Sequence, residues 1–261
     1  MPRNQVAAAF ARVVCGGVLL ATALTVSAAG IGPRAEPDWP LPVHDDAFYG
    51  QVFFDRLEYR AGDETDVFLW DAQAWYGGDR NRLWIETEGA DVVDGGEGGE
   101  VENFDVLFSH RFDRFWDVQA GVGYQTAYGP GPDPERTSLV VGVQGLAPYW
   151  FELDTSLRVS EDGDASIDLE AEYDWRLSQR LVLQARAESA YAFDAVPAFE
   201  TGEGLTGLTA GLRLRYHIAR EFAPYAGVSW SGRFGDTRDL FQAEGEDPDT
   251  SAVVVGVRWW F

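Results

Sequence analysis

Residues 165–177 (ASIDLEAEYDWRL) change character at almost every step. Ala165, Ile167, Leu169, Ala171, Tyr173, Trp175 and Leu177 share one parity; Asp168, Glu170, Glu172, Asp174 and Arg176 share the other. On a helix these charges would spread around the whole circumference. On a strand, where successive side chains point to opposite faces, they give one apolar face and one charged face. The same pattern holds in 205–218, where Leu208, Ala210, Leu212, Leu214, Tyr216 and Ile218 oppose Thr209, Arg213, Arg215 and His217. It recurs in 181–193, with Gln184, Arg186 and Glu188 on the polar side, and in 116–125.

Twelve segments of this kind are predicted: 48–60, 66–76, 82–91, 101–111, 115–127, 137–146, 149–160, 165–177, 180–193, 205–218, 222–234 and 250–261. Each suits a tilted membrane strand, which needs ~9–11 residues. The connections after even-numbered strands are tight, such as Gly77-Gly78-Asp79, Asp113-Arg114 and Ser178-Gln179. Those after odd-numbered strands are longer and acidic, as in 92–100, 128–136, 194–204 and 235–249. An even strand count with turns sorted this way implies an all-β, transmembrane, antiparallel up-and-down β-barrel in the cell outer membrane, with short periplasmic turns and longer extracellular loops. A secreted β-sandwich would bury its apolar faces internally and would have no reason to sort its loops.

The amino terminus fits this destination. Arg3 and Arg12 flank a short basic region, 13–26 is almost wholly apolar, and Ser27-Ala28-Ala29 supplies the small residues of a cleavage site. The apolar run is too short to span a bilayer as a helix, so 1–29 reads as a cleaved signal peptide. Residues 30–47 then form a proline-rich periplasmic segment, and 48–261 form the barrel. The last strand, with Val253, Val255, Val257, Trp259 and Phe261 on one face, resembles the signal read by barrel-assembly machinery.

The formal charge is −23, from 43 acids against 20 basic residues, all of them arginine. That balance excludes a nucleic-acid partner, since a phosphate backbone needs a basic face. One cysteine rules out a disulfide scaffold or a multi-cysteine zinc site. With the apolar faces toward lipid, the charges line the lumen. The acidic lining is Glu86, Glu88, Asp168, Glu170, Glu172 and Asp174; the basic lining is Arg186, Arg213 and Arg215. These groups either pair across the interior and stiffen it or form a cation path. Ser109 and His110 are neighbours on opposite faces and make no catalytic dyad, and His217 has no evident serine partner, so the chain reads as a non-enzyme.

The run WDAQAWYGGDRNRLWIETEG at 70–89, FWDVQAGVGYQ at 115–125, LVVGVQGLAPYWFELD at 139–154 and AEYDWRLSQRLVLQARAE at 171–188 follow in order. Together they resemble the copper resistance protein B family (CopB/PcoB type) of outer-membrane proteins, over roughly 44–261. The resemblance implies a barrel acting in copper tolerance by binding or passing copper ions at the outer membrane, with a periplasmic multicopper oxidase as a partner. Many members carry a Met- and His-rich segment before the barrel, whereas 30–43 here holds neither residue. A sparse imidazole–carboxylate copper site remains, with His44, Asp45 and Asp46 as the local trio and His217 as a lumenal candidate. The alternative is a structural or passive cation-pore barrel without a specific copper site.

Overall fold

The computed structural model describes residues 47–261, apart from Glu64, Gly95, Glu97, Pro130, Gly131 and Pro132. The signal peptide and the segment before the barrel lie outside the described residues. The first six strands are β1 (Tyr49–Gly62), β2 (Asp66–Gly77), β3 (Asn81–Asp94), β4 (Gly99–Asp113), β5 (Trp116–Tyr128) and β6 (Glu135–Ala147). The next six are β7 (Phe151–Ser160), β8 (Ala165–Arg176), β9 (Leu181–Ala192), β10 (Gly204–Tyr216), β11 (Phe222–Arg233) and β12 (Asp249–Trp260). Each pairs antiparallel with its sequence neighbour, and β1 pairs with β12, so the sheet closes on itself. Closure leaves no edge strand with unpaired backbone groups.

Parity sorts the side chains as the alternation predicts. Leu139, Val141, Leu169, Leu212, Val228, Val253 and Val255 are exposed on the outer wall. Asp105, Arg158, Glu172, Arg186, Arg213 and Arg215 are buried inside. The lumen is not uniformly polar: Trp84, Leu107 and Val140, with Trp75 against them, form an apolar patch on the β2–β6 side.

One end carries tight turns and both ends of the described barrel. The other carries the loops, which are less uniform than predicted. The 92–100 loop contracts to 95–98, because β3 and β4 stay paired out to Asp91 and Gly99. The connections 63–65 and 161–164 are likewise as short as the turns opposite. The last loop is not irregular throughout: it folds into helix α1 (Gly235–Glu244), stopped by Gly245 in the left-handed region at φ 86°. Thr237 of α1 accepts the Gly202 N–H at 2.9 Å, tying this loop to the one before it. A β-carbon on Gly202 would sit 2.4 Å from the Thr237 nitrogen, so that joint needs glycine.

β1 carries a bulge. Its register slips between Phe54 and Arg56 against β2 and between Phe54 and Leu57 against β12. An extra residue at a bulge lets two consecutive side chains share a face. Here Asp55 and Arg56 both turn inward and are buried. Where β1 meets β12, Phe53 stacks on Trp260 and Phe54 on Trp259, one ring pair on each face of the wall.

Candidate functional site

The lumen is crossed by guanidinium–carboxylate pairs joining strands far apart around the ring. Arg56 on β1 bonds Asp71 on β2 at 3.1 Å, Glu88 on β3, and Glu188 on β9 at 2.8 Å. Arg186 on β9 answers from the opposite wall. It meets Asp71 at 3.2 Å, Asp55 at 3.4 Å, Glu170 at 2.6 Å, Glu172 at 2.8 Å, and Glu188. Two arginines thus share Asp71 and Glu188 between them. Lysine, a compact point charge, could not bridge so many acids from one position; the planar five-donor guanidinium can.

Two more bars cross at other points. Arg213 on β10 forks onto Glu58 on β1, through Nε at 2.6 Å and Nη2 at 3.0 Å. Arg60 shares the same carboxylate at 2.7 Å. Arg158 on β7 holds both oxygens of Asp105 on β4, at 2.9 and 2.7 Å, and reaches Asp168 on β8 at 3.0 Å. Toward the turn end, Arg215 pairs with Asp174, and Arg258 pairs with Asp55 at 2.7 Å. Bidentate pairs of this type are stronger and more directional than simple ion pairs. A lumen bridged this way is narrowed by its own side chains.

Not every acid is taken up. Glu86 and Asp154 are in no ion pair among the described residues. Asp154, Asp105 and Asp71, together with Arg158, are the charged groups nearest to Glu86. Outside the strands, His217 follows β10, and its backbone N–H donates to the Arg180 carbonyl at 2.8 Å. Partial burial, with Arg215, Arg258 and Arg176 nearby, holds its imidazole below the usual histidine range despite Asp174. Neutral imidazole is the form that binds metal. Among the described residues, no three His, Cys, Asp or Glu side chains are grouped to cage a metal ion.

The family described as copper resistance protein B precursor (CopB) matches residues 48–261, the whole described barrel. The chain belongs to the copper resistance protein B family. It is 39% identical to copper resistance protein B of Escherichia coli over 219 residues, 84% of this chain and 72% of that protein. It is 34% identical, over the same shares, to a copper resistance protein B homolog of Pseudomonas syringae pv. tomato. In fold it is similar to the NanC porin, with a TM-score of 0.50 and 13% identity, covering 81% of this chain and 99% of that one. A copper resistance protein B of this form is an outer-membrane β-barrel, its tight-turn end periplasmic.

Of the acids and bases assigned to the lumen, all but Glu86 are in ion pairs among the described residues, and Arg213 goes to Glu58. Glu88 goes to Arg56, Glu170 and Glu172 to Arg186, Asp174 to Arg215, and Asp168 to Arg158. Glu86 stays apart. His44, Asp45 and Asp46 lie outside the described residues. Four residues of β1 were missed: Asp55, Arg56, Glu58 and Arg60. Arg56-Leu57-Glu58-Tyr59-Arg60 has the right alternation, but the adjacent Asp55-Arg56 pair breaks the period.

Proposed function

We propose that this family member passes copper ions through, or holds them in, its carboxylate-lined lumen, without catalysis. The observation that carries this reading is the Glu86–Asp154 region: these oxygen donors, like Glu102 and Glu152, are in no ion pair among the described residues, while most acids of the lumen are held by arginine. Carboxylates and imidazole suit Cu(II) better than Cu(I), which favours sulfur ligands. The barrel offers no thiol or thioether beyond the signal peptide, where Met1 and Cys15 lie. A periplasmic multicopper oxidase is the proposed partner on the turn side.

The test is Cu(II) calorimetry on the refolded barrel, with Cu(II) flux into proteoliposomes, for wild type, Glu86→Gln/Asp154→Asn and His44→Ala/His217→Ala. Saturable binding or flux that the first variant loses supports the lumenal path. Loss only in the second shifts the site to the histidines. A second reading, a passive cation pore with no copper preference, is favoured by the lack of a three-ligand cage among the described residues. Potassium and copper permeation of similar size, unchanged in both variants, would establish it.

A further inference from the structure

Two loops of the outer end reach over the mouth of the barrel. The β9–β10 connection, 193–203, is bonded to itself: Val196 and Thr201 exchange backbone bonds at 2.8 and 3.2 Å, with the turn Pro197–Phe199 between them. The Thr201 hydroxyl donates to the Phe199 carbonyl at 2.9 Å, and Glu200 takes φ 52° to complete the turn. A loop held by its own bonds is a shaped part, as compact functional loops are. It carries one ring in that turn, Phe199. The ring reaches past β8 and β7 to the outer end of β6, where it lies 4.6 Å from the Arg136 guanidinium.

Arg136 has the inward parity of Ser138 and Val140, both buried. Its Nε and Nη2 donate to Gln125 Oε1 at 2.9 and 2.7 Å, and Gln125 Nε2 donates to the Glu102 carbonyl at 2.7 Å. The guanidinium is thus pinned by its edge, with a flat face left for the ring. The second loop repeats the device. Helix α1 packs against β10, and its Phe241 lies 5.1 Å from the guanidinium of Arg233. Arg233 ends β11 on the inward parity of Ser229 and Ser231. β6 and β11 are five strands apart in a ring of twelve, so the two contacts stand nearly opposite each other. The Gly202–Thr237 bond joins the loops between them. Their exposed surface carries Glu200, Glu203, Asp236 and Asp239.

We propose that the joined loops are a size-selecting cap on the outer mouth, latched by Phe199 on Arg136 and Phe241 on Arg233, which admits small cations and keeps larger solutes out. A loop that merely linked β9 to β10 would have no reason to reach an inward guanidinium on β6. The acids above draw cations to the cap. Cation–π contacts at exposed sites are weak, so the latches hold the cap shut without locking it. Phe199 and Phe241 are therefore the residues that set which solutes reach the lumen. The inference concerns entry alone and holds whatever ion the lumen carries, so a failure of copper passage would leave it standing.

Cysteine labelling tests it cleanly, because the chain after the signal peptide contains no cysteine. Ser138→Cys puts a thiol on the inner wall, two residues further along β6 from Arg136. The mature protein in micelles is treated with a small cationic methanethiosulfonate or with one carrying a polyethylene glycol chain. Ser178→Cys, in an exposed turn at the other end, calibrates the two reagents. With both loops intact, the small reagent should label Ser138→Cys much faster than the large one. Adding Phe199→Ala/Phe241→Ala should speed the large reagent about tenfold, the combined strength of two exposed cation–π contacts, and leave the small one nearly unchanged. Arg136→Gln/Arg233→Gln removes the same latches from the wall side and should act alike. Heat-modifiable gel migration confirms folding of each variant. Equal access of both reagents with the loops intact, a large-reagent rate untouched by either pair, or a rise shared equally by both reagents would overturn the proposal.

Discussion

Glu58 is 0% exposed and its partner Arg213 2%. Removing water from both charges is costly, and their fork of hydrogen bonds offsets that cost only while both remain. Glu58→Gln leaves two guanidinium groups, those of Arg213 and Arg60, around a neutral amide. A loss of about 3–5 kcal/mol is expected, read from denaturant unfolding in lipid vesicles. Glu58→Leu/Arg213→Leu, which removes both charges of the fork, should recover much of it. At the periplasmic rim, His217 makes a pH-dependent contribution of the opposite kind. Its folded-state pKa is lowered, by partial burial first and by Arg215 next. Below about pH 6.5 the unfolded imidazole takes up a proton before the folded one does. Stability is therefore unaffected above that range and falls as the solution is acidified through it. An NMR titration should place the His217 midpoint below that of a free imidazole, and Arg258→Gln should raise it.

At the scale of a strand, the bulge in β1 makes a sharper test. Asp55 is the supernumerary residue, so deleting it restores a regular strand with Gln51, Phe53, Arg56, Glu58 and Arg60 still inward. The variant should fold to a heat-modifiable barrel, less stable because Arg186 and Arg258 each lose one acid. Deleting Leu169 from β8, which has no bulge, should prevent folding. A one-residue slip there sends either Asp168 or the three acids Glu170, Glu172 and Asp174 toward lipid. The same contrast explains what could be read in advance. β8 was legible side chain by side chain, because strict parity makes address and environment one fact. β1 hid Asp55 and Arg56, because a bulge is an exception to parity that no period records. Helix α1 was hidden because GDTRDLFQAE mixes charge with few apolar residues and runs into an acidic stretch. Partner choice was beyond reach: nothing in the spacing of Arg56 and Glu188 says that they meet across a lumen.

Taken whole, the molecule has a polarity along its axis. Asp63, Glu161, Asp162, Glu203 and Glu246 stand at the loop end, and Arg80, Arg114, Arg180 and Arg220 stand in four of the periplasmic turns. On the proposed reading, cations are drawn to the outer mouth and the arginine bars across the lumen meter their passage. Planar bilayers should show small, cation-preferring conductance for the wild type. Arg56→Ala/Arg186→Ala should enlarge it several-fold and deepen the cation preference, since the acids those arginines hold become free; unchanged conductance would show that the bars do not limit the path. The seam has a temporal consequence. The ring pairs Phe53–Trp260 and Phe54–Trp259 join the first strand to the last. No partial chain can close them, so the barrel stays an open sheet with exposed edges until its final strand arrives. Such long-range pairing is slow to form. The nascent protein must be shielded for that whole interval, and the clasp of rings then makes the finished barrel slow to reopen.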